Sequence, residues 1–193
     1  MAQKGLTLES IVLTATEMIE NGGVETFSMH RLADKLGVKT ASLYNHIESV
    51  NALILAVCRL GFQIQENEVL DAVKGKERDN AVLALAQAYY RYAKEHHELY
   101  RLMMSTASAN KSLLEDAAVQ LTDPLKAVLE YYSLSEDDKI HFRRMLRAIV
   151  HGFVSEEDTG FFSHNLAAPA DSFNFAVRNY IVLLNQAERW RLQ

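Results

Sequence analysis

Residues 27–47 read Phe27-Ser28-Met29-His30-Arg31-Leu32-Ala33-Asp34-Lys35-Leu36-Gly37-Val38-Lys39-Thr40-Ala41-Ser42-Leu43-Tyr44-Asn45-His46-Ile47. Ser28 is a good N-cap, and Met29, Leu32, Ala33 and Leu36 fall at i, i+3, i+4 and i+7, which predicts a short amphipathic helix. Gly37 breaks it. After a turn at Gly37-Val38-Lys39, a helix over 40–46 has only Leu43 and Ile47, with Val38, to turn inward. Its remaining side chains must face solvent. Two short helices about a glycine turn, the second too poor in apolar residues to be buried, have the form of a helix-turn-helix.

The flanking sequence extends the same helical pattern. Thr7 caps a first helix whose Leu8, Ile11, Val12, Ala15, Met18 and Ile19 share a face, and Gly22-Gly23 ends it. Ser49 caps a fourth helix bearing Val50, Leu53, Ile54, Val57, Leu60 and Ile64, which runs past the first compact unit. Later helices are expected from Asn80 to about His96, from Glu98 to Ser105, and from Lys111 to Tyr132 with a fresh start at Asp123-Pro124. Another is capped at Ser135, with Glu136, Asp137 and Asp138 in its first turn, and a last helix is capped by Asp171 or Ser172 and ends at Trp190. Residues 157–169 are expected as loop. No segment alternates apolar and polar residues convincingly, and Gly and Pro number only 8 and 2, so the expected fold is all-α with about nine helices. The expected division is a helix-turn-helix domain over 1–62 and a helical bundle over 63–193.

Composition bounds the partners. The chain has 193 residues, 49% hydrophobic and 23% charged, enough for a substantial core without disulfides or metal. One cysteine, Cys58, and an N-terminus without an apolar leader point to the cytoplasm, and the longest apolar run, 52–58, is far too short to span a bilayer. Net charge is −5; residues 1–62 carry five Lys or Arg against six acids, net −1, leaving −4 on the remainder. An acidic balance argues mildly against nucleic acid, because phosphate binding usually leaves a basic footprint.

The wording of residues 27–47 weighs against that objection. A major groove about 12 Å wide admits one protruding helix that offers short polar or aromatic groups, and Lys39, Thr40, Ser42, Tyr44, Asn45 and His46 are such a set. The stretch closely resembles the DNA-binding signature of the tetracycline-repressor (TetR) family of bacterial transcriptional regulators: a small hydroxyl, L-A-x-x-L-G-V, a short link, then L-Y-x-H. The resemblance covers residues 6–60. Residues 85–105 and 146–154 are similar, more loosely, to an effector-domain subtype of the same family. Two positions depart from the pattern: Ile47 stands where an aromatic is usual, and Val50 where a basic residue opens the fourth helix.

The resemblance implies a homodimer that reads two half-sites of double-stranded DNA and responds to a small effector. Phosphate contacts are expected from Thr7, Ser28, His30, Arg31, Lys39 and Thr40, since hydroxyls and helix N-termini bind phosphate without adding formal charge. Base edges fall to Thr40, Ala41 and Asn45, and backbone or thymine methyl to Tyr44 and His46. The structural alternatives are Tyr44 packed on the fourth helix and His46 stabilising the motif. Helices 140–154 and 173–184 are apolar on more than one face, so Ile149, Phe153, Phe173, Val177, Tyr180, Ile181 and Leu184 are expected at a two-fold four-helix interface, the alternative being a broad core.

An apolar or aromatic effector is expected among Tyr89, Tyr92, Tyr100, Met103, Met104, Phe142, Met145, His151 and Phe161, with Phe153 and Phe162 nearby; each taken singly is equally a core residue. No cofactor, metal or catalytic site is expected. Cys58 lies on an apolar stripe, His96-His97 with Glu95 and Glu98 read as a solvated helix end, His141 and His151 are too far apart to chelate, and no H-E-x-x-H, G-x-S-x-G or glycine-rich phosphate loop occurs. The competing functions are a helical protein-interaction module and a DNA-binding regulator without a small-molecule effector.

Overall fold

The computed structural model describes residues 5–109, 123–164 and 167–192, and every regular element among them is helical. The elements are α1 (Leu8–Gly22), a 3-10 turn (Val24–Thr26), α2 (Met29–Leu36), α3 (Thr40–Leu43), α4 (Val50–Val73), α5 (Arg78–Glu95), α6 (His97–Ala109), α7 (Pro124–Leu129), α8 (Glu136–Asp158), a 3-10 turn (Phe161–His164) and α9 (Pro169–Arg191). The expected helical stretch over 111–122 lies outside the described residues.

The chain forms two compact units, and α4 passes from one into the other between residues 64 and 65. The first unit holds α1 to α3, the first half of α4, and α6. Its core is Ile11, Ala15, Ile19, Leu32, Leu43, Leu53, Val57, Leu99 and Met103, all fully buried. A two-domain division at residue 62 would have placed α6 with the C-terminal bundle. Instead its apolar face, Leu99, Tyr100, Leu102 and Met103, is buried, with α1 as its neighbour within the first unit.

In the second unit α5 packs against α7, α8 and α9, and α8 against α9. The centre of its core is Leu85, Leu129, Leu146, Phe173, Val177, Tyr180 and Leu184. Tyr90 stacks on Phe173 at 4.3 Å between ring centroids, and Phe142 meets Tyr180 edge to face at 5.5 Å. Aromatic pairs in these geometries add to area burial and fix the rotation of α9 about its axis.

Several boundaries differ from expectation for local reasons. The third helix is regular only over Thr40–Leu43; beyond it His46 and Ile47 donate their N–H groups to the Leu43 carbonyl, so residues 44–46 close as a turn. Residues 157–169 are not all loop, because α8 reaches Asp158 and a 3-10 turn follows. The last helix opens at Pro169 and not at Asp171 or Ser172: proline at the first turn has no N–H to leave orphaned. Asp123 caps α7 as expected, its side chain accepting from the Lys126 N–H with Pro124 at the first helical position. Ser135 likewise caps α8.

Candidate nucleic-acid interface

The turn between α2 and α3 is set by Gly37. At φ 68° it is left-handed, its N–H bonds the Asp34 carbonyl at 3.1 Å, and the Val38 N–H reaches back to Ala33 at 3.0 Å. This pair of bonds is the Schellman closure that satisfies the last carbonyls of a helix. The chain then re-enters α3 with Lys39 at the N-cap, where its carbonyl accepts from the Ser42 N–H at 2.8 Å.

Only two side chains anchor residues 40–47 to the body of the unit. Leu43 is 0% and Ile47 6% exposed, while Tyr44 is 48% exposed and Lys39, Ala41, Asn45 and His46 are exposed as well; Thr40 is half-buried. Tyr44 is therefore not sealed against α4. Ile47, which replaces the usual aromatic, serves as a core anchor, and Val50 is 39% exposed where a basic residue is common. The arrangement presents a short ridge of one cation, one hydroxyl, one phenol, one amide and one imidazole, with no charged partner for Lys39 among the described residues.

The N-termini of α1 and α2 are each capped by a hydroxyl side chain. Thr7 caps α1 in a capping box: its hydroxyl accepts from the Ser10 N–H at 3.1 Å, and Ser10 Oγ accepts from the Thr7 N–H at 3.0 Å. Ser28 caps α2, its Oγ accepting from the Arg31 N–H at 3.2 Å. Each capping hydroxyl uses a lone pair on the helix and keeps its proton for an outside acceptor. Two expected phosphate ligands are partly engaged: Arg31 Nη1 donates to the Thr26 carbonyl at 2.6 Å, and His30 Nε2 lies 3.5 Å from Asp34 Oδ2 in an exposed pair. Lys35 Nζ pairs with Glu17 at 3.4 Å.

The first unit also contains pairings without any local sequence signal. His96 Nδ1 meets Glu20 Oε1 at 2.5 Å, so His96 joins α6 to α1 and is no solvated helix end. Arg101 bridges Glu98 at 2.7 Å and Glu25 at 2.9 Å. Residues as far apart in sequence as Glu20 and His96 carry no spacing that predicts their meeting. Cys58 is fully buried, and burial pushes its thiol up, opposed by a hydrogen bond with Thr106, as suits a small core side chain and not a nucleophile. No group of three His, Cys, Asp or Glu side chains arranged to hold a metal occurs among the described residues, and no helix among them is long and apolar enough to cross a membrane.

The effector candidates are distributed over both units. Tyr100 and Met103 are buried and Met104 half-buried in the first; Tyr92 is fully buried, and Tyr89 and Phe142 half-buried, in the second. Met145 (37% exposed), His151 and Phe161 (72%) face solvent, contrary to expectation. On α8 the inward stripe is Leu146, Val150 and Val154, and residues 145 and 151 each sit one position, about 100° of rotation, off it. An open groove of about 620 Å³ in the second unit is lined by other residues, among them Glu68, Asp71, Lys76, Gln87 and Arg91.

The expected interface residues divide in the same way. Phe173, Val177, Tyr180 and Leu184 are at most 1% exposed, and the Tyr180 hydroxyl donates to the Phe142 carbonyl at 3.1 Å. They form the core of their own chain and cannot meet a second copy. Ile149, Phe153 and Ile181 are half-buried beside that core. The large apolar groups that α9 leaves uncovered are Phe175 (69% exposed), Val182 (52%), Leu183 (45%) and, in its last turn, Trp190 (73%).

Known proteins share this architecture. Residues 82–180 match the family described as tetracyclin repressor-like, C-terminal domain. An uncharacterised HTH-type transcriptional regulator of Bacillus subtilis is 32% identical over 151 residues, 78% of each chain. The crystal structure of TetR from Acinetobacter baumannii superposes with a TM-score of 0.70 at 16% identity, covering 94% of this chain and 98% of that one. ActR of Streptomyces coelicolor, solved in complex with actinorhodin, superposes with a TM-score of 0.67 at 18% identity, over 94% and 98%.

Proposed function

The chain belongs to the tetracycline-repressor-like family of HTH-type transcriptional regulators, and from that premise we propose that it is a homodimeric repressor of the cytoplasm that holds a specific operator until a small molecule releases it. The observation that carries this reading is the exposure of Tyr44, Asn45 and His46 immediately beside the buried anchors Leu43 and Ile47. A ridge fixed at its base and free at its tip can enter a major groove without unfolding anything.

In this reading Thr40, Ala41 and Asn45 face base edges, Asn45 being able to pair with adenine through two hydrogen bonds, while Tyr44 and His46 meet backbone or a thymine methyl. Lys39, Arg31, His30 and the capping hydroxyls of Thr7 and Ser28 hold phosphates. That set supplies three to five contacts per subunit, and a dimer with about 6–10 in total loses about 10³–10⁵ in affinity between 50 and 200 mM salt. A net charge of −5 on the whole chain is compatible with this, because hydroxyls and backbone amides bind phosphate without formal charge.

The second copy joins through the exposed faces of α8 and α9, where Met145, Phe175, Val182 and Leu183 supply apolar area. The reading assigns the chain no catalysed reaction. Fluorescence anisotropy with DNA from the protein's own upstream region tests it: retention that falls steeply with salt, on a site whose half-sites lie about 34–36 Å apart or a little more, is expected. Indifference to every fragment, unchanged by salt, would support a helical protein-interaction module instead.

A further inference from the structure

Most acids of the first unit are neutralised within it. Glu17 pairs with Lys35, Asp34 with His30, Glu20 with His96, and Glu25 with Arg101. Glu48 is exposed and makes no hydrogen bond or ion pair with any described residue, a state that it shares, among the acids of residues 5–64, only with Glu9 on α1.

The backbone on either side of Glu48 is fixed. Ile47 is a buried anchor whose N–H bonds the Leu43 carbonyl at 3.1 Å. Ser49 caps α4, its Oγ accepting from the Ala52 N–H and its carbonyl from the Leu53 N–H, each at 3.1 Å. Consecutive Cα atoms are about 3.8 Å apart, so the Glu48 Cα lies no more than about 7.6 Å from that of His46 on the exposed ridge. That separation is shorter than the Debye length of about 10 Å at 0.1 M salt, and salt leaves much of the charge unscreened at the ridge. Glu48 also stands one residue ahead of the α4 cap, where the positive end of a helix favours an anion. The residues in that position before α1 and α2 are the uncharged Leu6 and Phe27. Val50, 39% exposed, adds no cation at the start of α4.

We infer that Glu48 sets how tightly the chain holds DNA of any sequence: its charge takes the place of an anion at the start of α4 and repels the phosphates that the ridge approaches, so that each subunit forgoes one sequence-independent contact. The inference rests on the regulator reading above and adds a device for release to it. An effector dislodges DNA only through its differential affinity for two states of the protein, typically about 5–150-fold. A weakened hold on the backbone keeps the operator complex within that reach and leaves base contacts a larger share of the binding energy.

The test measures fluorescence anisotropy of the full-length protein on two duplexes, one of random sequence and one from its own upstream region, at salt from about 50 to 200 mM. Glu48→Gln, which keeps the shape, should tighten binding to both by a similar factor, about threefold or more near 0.1 M salt. Glu48→Lys should tighten it further and steepen the dependence of log affinity on log salt by about 0.9 per subunit. Glu136→Gln on α8, in the second unit, makes the same change in net charge at another exposed acid and should leave both affinities near the parent's. Thermal midpoints close to the parent's show that the variants fold. Equal tightening by Glu136→Gln would reduce the effect to overall charge, and unchanged affinity in both Glu48 variants would put the carboxylate outside the interface. Weaker binding of the upstream duplex alone would make Glu48 a reader of a base amino group. Each of these overturns the proposal. If neither the parent nor Glu48→Lys binds either duplex, the regulator reading falls with it, whereas a parent that binds DNA and is unaltered by the Glu48 changes sinks this inference alone.

Discussion

Gly61 on α4 and Met103 on α6 approach so closely that a β-carbon at position 61 would lie 2.6 Å from Met103 Sδ, 3.2 Å from its Cγ and 3.3 Å from a Leu99 methyl. Glycine inside a helix ordinarily costs about 1 kcal/mol relative to alanine. Here the saving is offset by overpacking, which costs about 1–3 kcal/mol when a neighbour must leave its rotamer. Gly61→Ala is therefore expected to be no more stable than the parent, or less stable by up to about 2 kcal/mol. In a Met103→Ala background only the Leu99 methyl at 3.3 Å must still give, so the same change should be less destabilising than in the parent and stabilise by at most about 1 kcal/mol. Urea unfolding followed by helical circular dichroism measures both. A stabilising Gly61→Ala in the parent would show that the two helices can separate at no cost.

Exposure separates the residues of α3 and its flanks into two classes with opposite phenotypes. Tyr44→Ala and Lys39→Ala remove exposed groups and should abolish operator retention while shifting the thermal midpoint little. Lys39→Ala should also flatten the dependence of log affinity on log salt by about 0.9 for each phosphate that the lysine no longer neutralises. Leu43→Ala empties a fully buried site and should cost about 2–5 kcal/mol, so that fold and binding fail together. If Tyr44→Ala unfolded the protein as Leu43→Ala does, the ridge would be part of the core.

The sequence announces some of these features and is silent on others. The helix-turn-helix is legible because its determinants are local: a Ser28 cap, a left-handed Gly37, and a following segment whose inward positions are only Leu43 and Ile47. The dimer face is not legible, for a reason that periodicity cannot remove. Phe173 and Phe175 are two positions apart, on nearly opposite sides of a helix with apolar residues on more than one face, and only tertiary packing decides that the first is 1% and the second 69% exposed. The association of α6 with α1 is invisible in the sequence because it depends on pairs such as Glu20 with His96, which no spacing rule connects.

The outer face of α9 carries its own prediction. Val182→Glu or Phe175→Asp places a charge on an exposed apolar surface and should leave the monomer's fold intact while converting the dimer to monomer in analytical ultracentrifugation at micromolar concentration. Val177→Ala, two positions from Phe175 and on the inner side of the helix, should instead lower stability by about 1–3 kcal/mol. A dimer that survives both surface charges would move the interface away from α9.

Acid stability should depend on the base of the second unit. Glu188 accepts from Arg78 Nη2 at 2.5 Å and from the Ser133 N–H at 2.7 Å, and these two donors hold its carboxyl below the ordinary carboxylate range. Arg78 also donates to the Tyr131 carbonyl at 2.7 Å and lies 4.5 Å over the Tyr132 ring, so the ion pair ties α5 and α9 to the end of α7. A carboxylate whose folded value is lowered binds its proton less readily in the native state than in the unfolded one. Its contribution is thus fully present above the unfolded value of about 4.3 and is lost as pH falls through the lower native value. Glu188→Gln keeps an acceptor for Ser133 but removes the charge, so its midpoint should lie below the parent's at pH 7 and the gap should narrow below about pH 4. Thermal scans of the two proteins from pH 7 to pH 3 measure that gap, and a difference that stays constant across the range would mean that the Arg78 pair contributes through shape and not through charge.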